Sequence, residues 1–84
     1  MVYKVEYMRN LVIETISELS DIKIAEINSE SSFEYLEFDN LDLAELIMVL
    51  EDKLNIKADD SMYYTKTVGE LIEKLNKQIQ TSRK

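Results

Sequence analysis

The sequence predicts an all-α fold of three long helices and one short helix, with a long first loop. Three observations predict it. Leu, Ile, Glu and Lys are plentiful while the 84 residues include one Gly and no Pro, so helix formers abound and tight hairpin turns are poorly supplied. Apolar residues recur at three- and four-residue steps in three separate stretches, the period of a helix buried along one side. Two stretches open with a capping side chain, Asp39 or Thr67, and an acid three residues later, Asp42 or Glu70.

The first helix is expected from about Tyr3 to Leu19, with Met8, Leu11, Val12, Thr15, Ile16 and Leu19 along one stripe. Ser20 and Asp21 end that periodicity. The segment IKIAEINSESSFEYLEF then alternates Ile22 and Ile24 before Ile27, a pattern that a strand would share. No second strand offers itself for pairing. An ordered loop pinned to the core by Ile27, Phe33 and Leu36, with a short helical turn within it, is the better reading.

The second helix is expected from about Asn40 to Leu54. Asp39 caps it, Asp42 completes a capping box, and the acids of its first turn favour the positive end of the helix dipole. Leu41, Ala44, Leu46, Ile47, Met48, Val49, Leu50 and Leu54 cover too wide an arc for one neighbour. Such a helix packs on two sides or leaves apolar surface for a ligand or partner. Ile56 anchors the next connection, which carries a helical turn around Asp60 to Tyr64. Thr67 and Glu70 are expected to satisfy each other's N–H groups at the last helix, where Val68, Leu71, Ile72, Leu75 and Ile79 form the buried stripe. The whole chain, 1–84, reads as one domain whose residues 80–84 fray.

Composition excludes much chemistry. With no His and no Cys, the commonest general base, the thiol nucleophile and the commonest metal ligands are missing together. The adjacent acids Asp59-Asp60 and Glu51-Asp52 fall in a loop and on a solvated helix side, not beside an evident cleft. Neither a calcium-binding loop pattern nor a glycine-rich phosphate loop is present. No catalytic residue, no metal site and no enzymatic activity are expected. No apolar run reaches the length of a membrane span, and the first ten residues lack the apolar block of a secretory signal; a cytoplasmic monomer is expected.

The net charge of −7 argues against a nucleic-acid partner. Its distribution says more than its size. From Glu34 to Asp60 there are nine acids against Lys53 and Lys57, while the remainder holds eight acids and eight bases. Such a segment is either a solvated acidic face or a docking surface that steers basic partners.

The stretch F33-E34-Y35-L36-E37-F38-D39-N40-L41 resembles the phosphopantetheine attachment motif of acyl and peptidyl carrier proteins, F-x-x-L-G-x-D-S-L. Phe33, Leu36, Asp39 and Leu41 match in register. DLAELIMVLEDKLNIKADD is similar to the acidic second helix and following loop of these carriers, and TVGELIEKL to their last helix. The resemblance spans nearly the whole chain and implies a small acyl-carrier-protein-like helical bundle. It further implies a 4′-phosphopantetheine arm on a serine at the start of the second helix, an acyl or aminoacyl thioester at the arm's end, and an acidic helix that docks on basic patches of synthases, acyltransferases or ligases. Carried over, Asn40 stands at the prosthetic-group position behind Asp39. Leu41, Asp42, Glu45, Glu51 and Asp52 fall on or near the partner-binding surface, and Leu46, Met48 and Leu50 become candidates for core or cavity lining.

The chain departs from that pattern at three places. Glu37 stands where the motif has glycine, at a backbone bend that a side chain disfavours. Ala58 replaces a frequent proline. Asn40 is the serious departure. Its amide nitrogen is delocalised into the carbonyl and there is no hydroxyl to deprotonate, so no arm is expected on this chain unless residue 40 were serine. Three accounts stand side by side. The chain is a serine-less carrier homologue serving as an interaction or regulatory module, a thioester-presenting carrier whose serine has been replaced, or an unrelated helical bundle whose acids serve solubility. Pathway and cargo, whether fatty acid, polyketide or nonribosomal peptide, are not written in the residues. The core assignment has a direct test: Leu50→Ala should lower stability by about 2–4 kcal/mol in a urea titration.

Overall fold

The computed structural model describes residues 5–82. Among these, three α-helices are formed, α1 (Val5–Leu19), α2 (Asn40–Leu54) and α3 (Val68–Ser82), with short 3-10 turns at Ile24–Glu26 and Asp60–Tyr64. The bounds of α2 are those expected. Tyr3, the expected first residue of α1, and residues 83–84 of the expected tail lie outside the described residues. The short fourth helix is realised as the five-residue 3-10 turn at Asp60–Tyr64.

α1 packs against both α2 and α3. It contributes Met8, Val12, Ile13 and Ile16 to the core, along with Thr15, a polar residue with no exposure. Thr15 is satisfied twice: its hydroxyl donates to the Leu11 carbonyl at 2.7 Å and accepts from the Lys53 ammonium at 3.1 Å. Lys53 also pairs with Glu18 at 3.0 Å, so one side chain of α2 ties itself to two residues of α1. From α3 come Val68, Leu71, Ile72, Leu75 and Ile79, the predicted stripe.

The core face of α2 is narrower than its apolar content. Leu43, Leu46, Ile47, Leu50 and Leu54 point inward, whereas Leu41 and Met48 are 80% and 60% exposed. Leu43 was not in the expected stripe, and Met48, a candidate for core or cavity lining, faces out. Helical spacing explains both: positions 43, 46, 47, 50 and 54 follow three- and four-residue steps, and 41 and 48 fall on the opposite arc. Both outcomes expected of so apolar a helix occur: α2 packs against α1 and against the 3-10 turn at Asp60–Tyr64, and it leaves Leu41 and Met48 uncovered.

Ile27, Phe33 and Leu36 are buried, and they pin the first loop to the core as expected. The alternation at Ile22 and Ile24 makes no strand, and Ile24 is exposed. Backbone bonds hold this loop to the start of α3. Phe33 N–H donates to the Lys66 carbonyl (2.9 Å), Val68 N–H to the Ser31 carbonyl (2.9 Å), and Gly69 N–H to the Ser29 carbonyl (2.8 Å). A single antiparallel bridge, Ser32 to Thr67, lies within this staple.

Half of the expected Thr67–Glu70 exchange forms, with Glu70 N–H donating to the Thr67 hydroxyl at 3.1 Å. The Glu70 carboxylate reaches one residue further back and accepts the Lys66 N–H at 2.6 Å. The chain's only glycine sits in the staple for a steric reason. A Cβ on Gly69 would stand 2.8 Å from the Ser29 carbonyl oxygen, too close for a backbone atom that is itself held by a hydrogen bond. Alanine would gain up to about 1 kcal/mol of helix propensity at this position. The clash should outweigh that gain, and Gly69→Ala should show a net loss of about 1–2 kcal/mol by urea titration.

Candidate functional site

The site is built by the turn that delivers the chain into α2. Leu36 N–H donates to the Ser32 carbonyl, Glu37 N–H to that of Glu34 and Phe38 N–H to that of Phe33, at 3.1, 3.0 and 2.8 Å. The last two bonds are the paired closure of a Schellman motif, which needs a left-handed residue just before its end. Glu37 is that residue, at φ 62. The apolar contact that accompanies such motifs is made by two rings, Phe33 and Phe38, with centroids 6.2 Å apart and both residues buried. Glu37, at the motif's glycine position, therefore does not remove the bend; it adopts the bend at a conformational cost. Asn55 takes the same left-handed conformation after α2, at φ 58, but Asn tolerates it far better than Glu.

Directly after the bend, the reciprocal cap forms as read from the sequence. Asp42 N–H donates to the Asp39 carboxylate at 2.9 Å, and Asp39 N–H to the Asp42 carboxylate at 3.2 Å. Asn40 is the first residue of α2 and is exposed. Among the described residues its carboxamide has no hydrogen-bond partner. The helix start is thus held by the residues on either side of it, and position 40 offers its side chain to solvent.

From that point Leu41, Glu45, Met48 and Asp52 recur at four-, three- and four-residue steps, so they line one outer stripe of α2, and all are exposed. Lys53–Glu18 is the one ion pair among the described residues. The stripe acids Glu45 and Asp52 are therefore not neutralised there, and Lys53 is drawn away towards α1. Glu51 differs from its neighbours. It is half-buried, and its carboxylate accepts the Ala58 N–H at 2.7 Å, tying the connection after α2 back onto the helix. A proline at position 58 would have no N–H to give, so Ala58 and Glu51 form an anchor of this chain's own.

Beside Asn40 opens a cleft of about 490 Å³ between the first loop, the start of α2 and the second 3-10 turn. Phe38, Asp39, Asn40, Leu43, Tyr63 and Tyr64 are among its lining residues. Tyr64 is 81% exposed at its rim, and neither it nor Leu43 was singled out from the sequence. The only signal was the 3-10 turn itself: Met62 is buried, Tyr63 is partly buried and Tyr64 is left outside. Leu46 and Leu50 are core residues, at 0% and 1% exposure.

The adjacent acids do not make an acid–base pair. The side chain and backbone N–H of Ser61 hydrogen-bond to Asp59, and with Lys74 nearby they hold its carboxyl below the usual carboxylate range. Asp59 thus works as the cap of a 3-10 turn. Among the described residues no cluster of three or more acids, His or Cys could hold a metal ion, and no helix is long and apolar enough to cross a membrane.

A helical bundle that presents the first residue of an acidic helix to solvent, above a capped and pre-shaped turn, is the architecture of a carrier scaffold. The chain belongs to the phosphopantetheine attachment site family, whose model matches residues 10–75. It is similar to an acyl carrier protein of Chlamydia caviae, 42% identical over 59 residues that make up 68% of this chain and 77% of the relative. It is also similar to an acyl carrier protein of Cyanophora paradoxa, 38% identical over 66 residues, 76% of this chain and 64% of the relative. No solved structure matches the chain to a significant degree.

The strained bend is open to test. A left-handed L-residue costs about 1–2 kcal/mol, of which glycine's greater freedom in the unfolded chain returns roughly half. Glu37→Gly should therefore stabilise the protein by about 0.5–1 kcal/mol, read as a higher urea midpoint at unchanged slope.

Proposed function

We propose that this chain is a carrier-family scaffold without an attachment nucleophile, a non-catalytic interaction module that docks through α2 and bears no arm at residue 40. One observation carries the reading: Asn40 occupies the exposed, capped first position of α2, where the motif has serine. Attachment requires a hydroxyl oxygen that loses its proton as it attacks a phosphorus of the coenzyme A pyrophosphate. The Asn40 carboxamide has no hydroxyl, and its nitrogen lone pair is committed to the carbonyl.

The docking residues in this reading are Leu41, Asp42, Glu45 and Asp52, with Glu51 close by but engaged by Ala58. The partners are enzymes with basic patches, of the kind that synthases, acyltransferases and ligases present to carriers. The chain acts as one carrier-like domain and as a monomer, in the cytoplasm. A second reading, a carrier presenting an acyl or aminoacyl thioester, draws on the relatives described as acyl carrier proteins; it requires serine at position 40.

Incubation with coenzyme A and a broad-specificity phosphopantetheinyl transferase, followed by intact-mass measurement, tests the proposal. The native chain should keep its mass, and Asn40→Ser should gain one phosphopantetheine group. A gain by the native chain would overturn the reading of Asn40. No gain by Asn40→Ser would mean that the surface is not recognised as a carrier.

A further inference from the structure

We infer that this chain is a dead-end competitor for the enzyme class that attaches phosphopantetheine to carrier proteins. It would occupy the carrier-binding site of such an enzyme without becoming a product. The inference rests on the carrier-scaffold reading above and names the partner that the outer face of α2 fits best.

Geometry selects this partner. An enzyme that modifies a side chain at the start of α2 must bring its reacting phosphorus to within bonding reach of residue 40. Such an enzyme sits at the start of α2, where the exposed stripe Leu41, Glu45, Met48 and Asp52 runs away from Asn40 along about 18 Å of helix and offers itself for contact. Two of these side chains are large and apolar and stand in water, Leu41 at 80% and Met48 at 60% exposure, and burying them would favour complex formation. The other two are acids unpaired among the described residues, in the segment that holds nine acids against two lysines. A basic rim on the partner complements them.

Enzymes acting later in a carrier cycle work on cargo at the end of the arm and draw binding energy from it. A chain without the arm forfeits that energy. The attaching enzyme alone takes the unarmed carrier as its substrate, and a chain with Asn40 is permanently in the unarmed form.

The arrested step needs no new chemistry. With no hydroxyl at residue 40, no bond forms to phosphorus, the coenzyme A pyrophosphate stays intact, and the chain leaves as it arrived. Binding that excludes the true substrate without turnover raises the apparent KM for that substrate and leaves kcat unchanged.

The experiment follows attachment of phosphopantetheine to a serine-bearing acyl carrier protein by a broad-specificity phosphopantetheinyl transferase at saturating coenzyme A. The carrier is varied at several fixed concentrations of this chain. The apparent KM should rise linearly with the chain while kcat holds, the chain's mass should not change, and added salt should relieve the inhibition. Glu45→Lys combined with Asp52→Lys, checked for folding by circular dichroism, should weaken inhibition by about tenfold. Rates unaffected by the native chain in large excess would overturn the inference, as would equal inhibition by the charge-reversed variant. Asn40→Ser, assayed in parallel as a substrate, separates the two readings. If it is modified while the native chain does not inhibit, the competitor role falls and the carrier scaffold stands. If it is not modified and the native chain does not inhibit, both fall.

Discussion

Phe33 is the junction on which the site depends. Its N–H is bound by the Lys66 carbonyl ahead of α3, its carbonyl accepts the Phe38 N–H, and its ring packs on that of Phe38. Phe38 immediately precedes Asp39, the cap of α2. A long loop with neither glycine nor proline has few local means of fixing its direction. Here the direction comes from long-range bonds to α3 and a buried aromatic pair, and the cap of α2 follows from it. Loss of the Phe33 ring would remove core volume and the closure of the turn together, costs that do not add independently.

The acidic character of α2 is likewise arranged rather than merely abundant. Asp39 and Asp42 are used in the cap, and Glu51 holds the Ala58 N–H. These acids have structural work. Glu45 and Asp52, interleaved with Leu41 and Met48, have none among the described residues. The outer stripe of α2 thus alternates exposed apolar side chains, Leu41 and Met48, with acids that no neighbour engages among the described residues.

How much of this was legible in the sequence follows the range of each interaction. The cap at Asp39 and Asp42 is a contact between residues three apart, and it could be read directly, as could the bounds of α2. The stripe of α3 could be read because nearly every apolar residue in it faces one way. The face of α2 was harder. An almost continuous apolar run carries little phase information, so the residues alone neither single out Leu43 as core nor separate the exposed Met48 from the candidates for core or cavity lining. The bend at Glu37 was known only as a departure from a motif that has glycine there, since nothing in the identity of a Glu announces a left-handed backbone. Contacts between distant positions left no local trace: Lys53 with Thr15, Glu51 with Ala58, and Gly69 against Ser29 each depend on packing that is settled only once the helices meet.

The separation between what folds the site and what would react there explains why Asn40 can exist at all. The cap uses Asp39 and Asp42, the bend uses Glu37, and the core beneath uses Phe38 and Leu43. No described contact depends on the side chain of residue 40. Serine and asparagine have similar helix propensity, and residue 40 lies inside the helix next to the Asp39 cap, so exchanging one for the other alters reactivity with little effect on stability. Selection on the fold and on docking can then act without selection on attachment. A family whose fold depended on its attachment residue would lose both together. In this chain the cap, the bend and the outer stripe of α2 all form around a position that carries no hydroxyl.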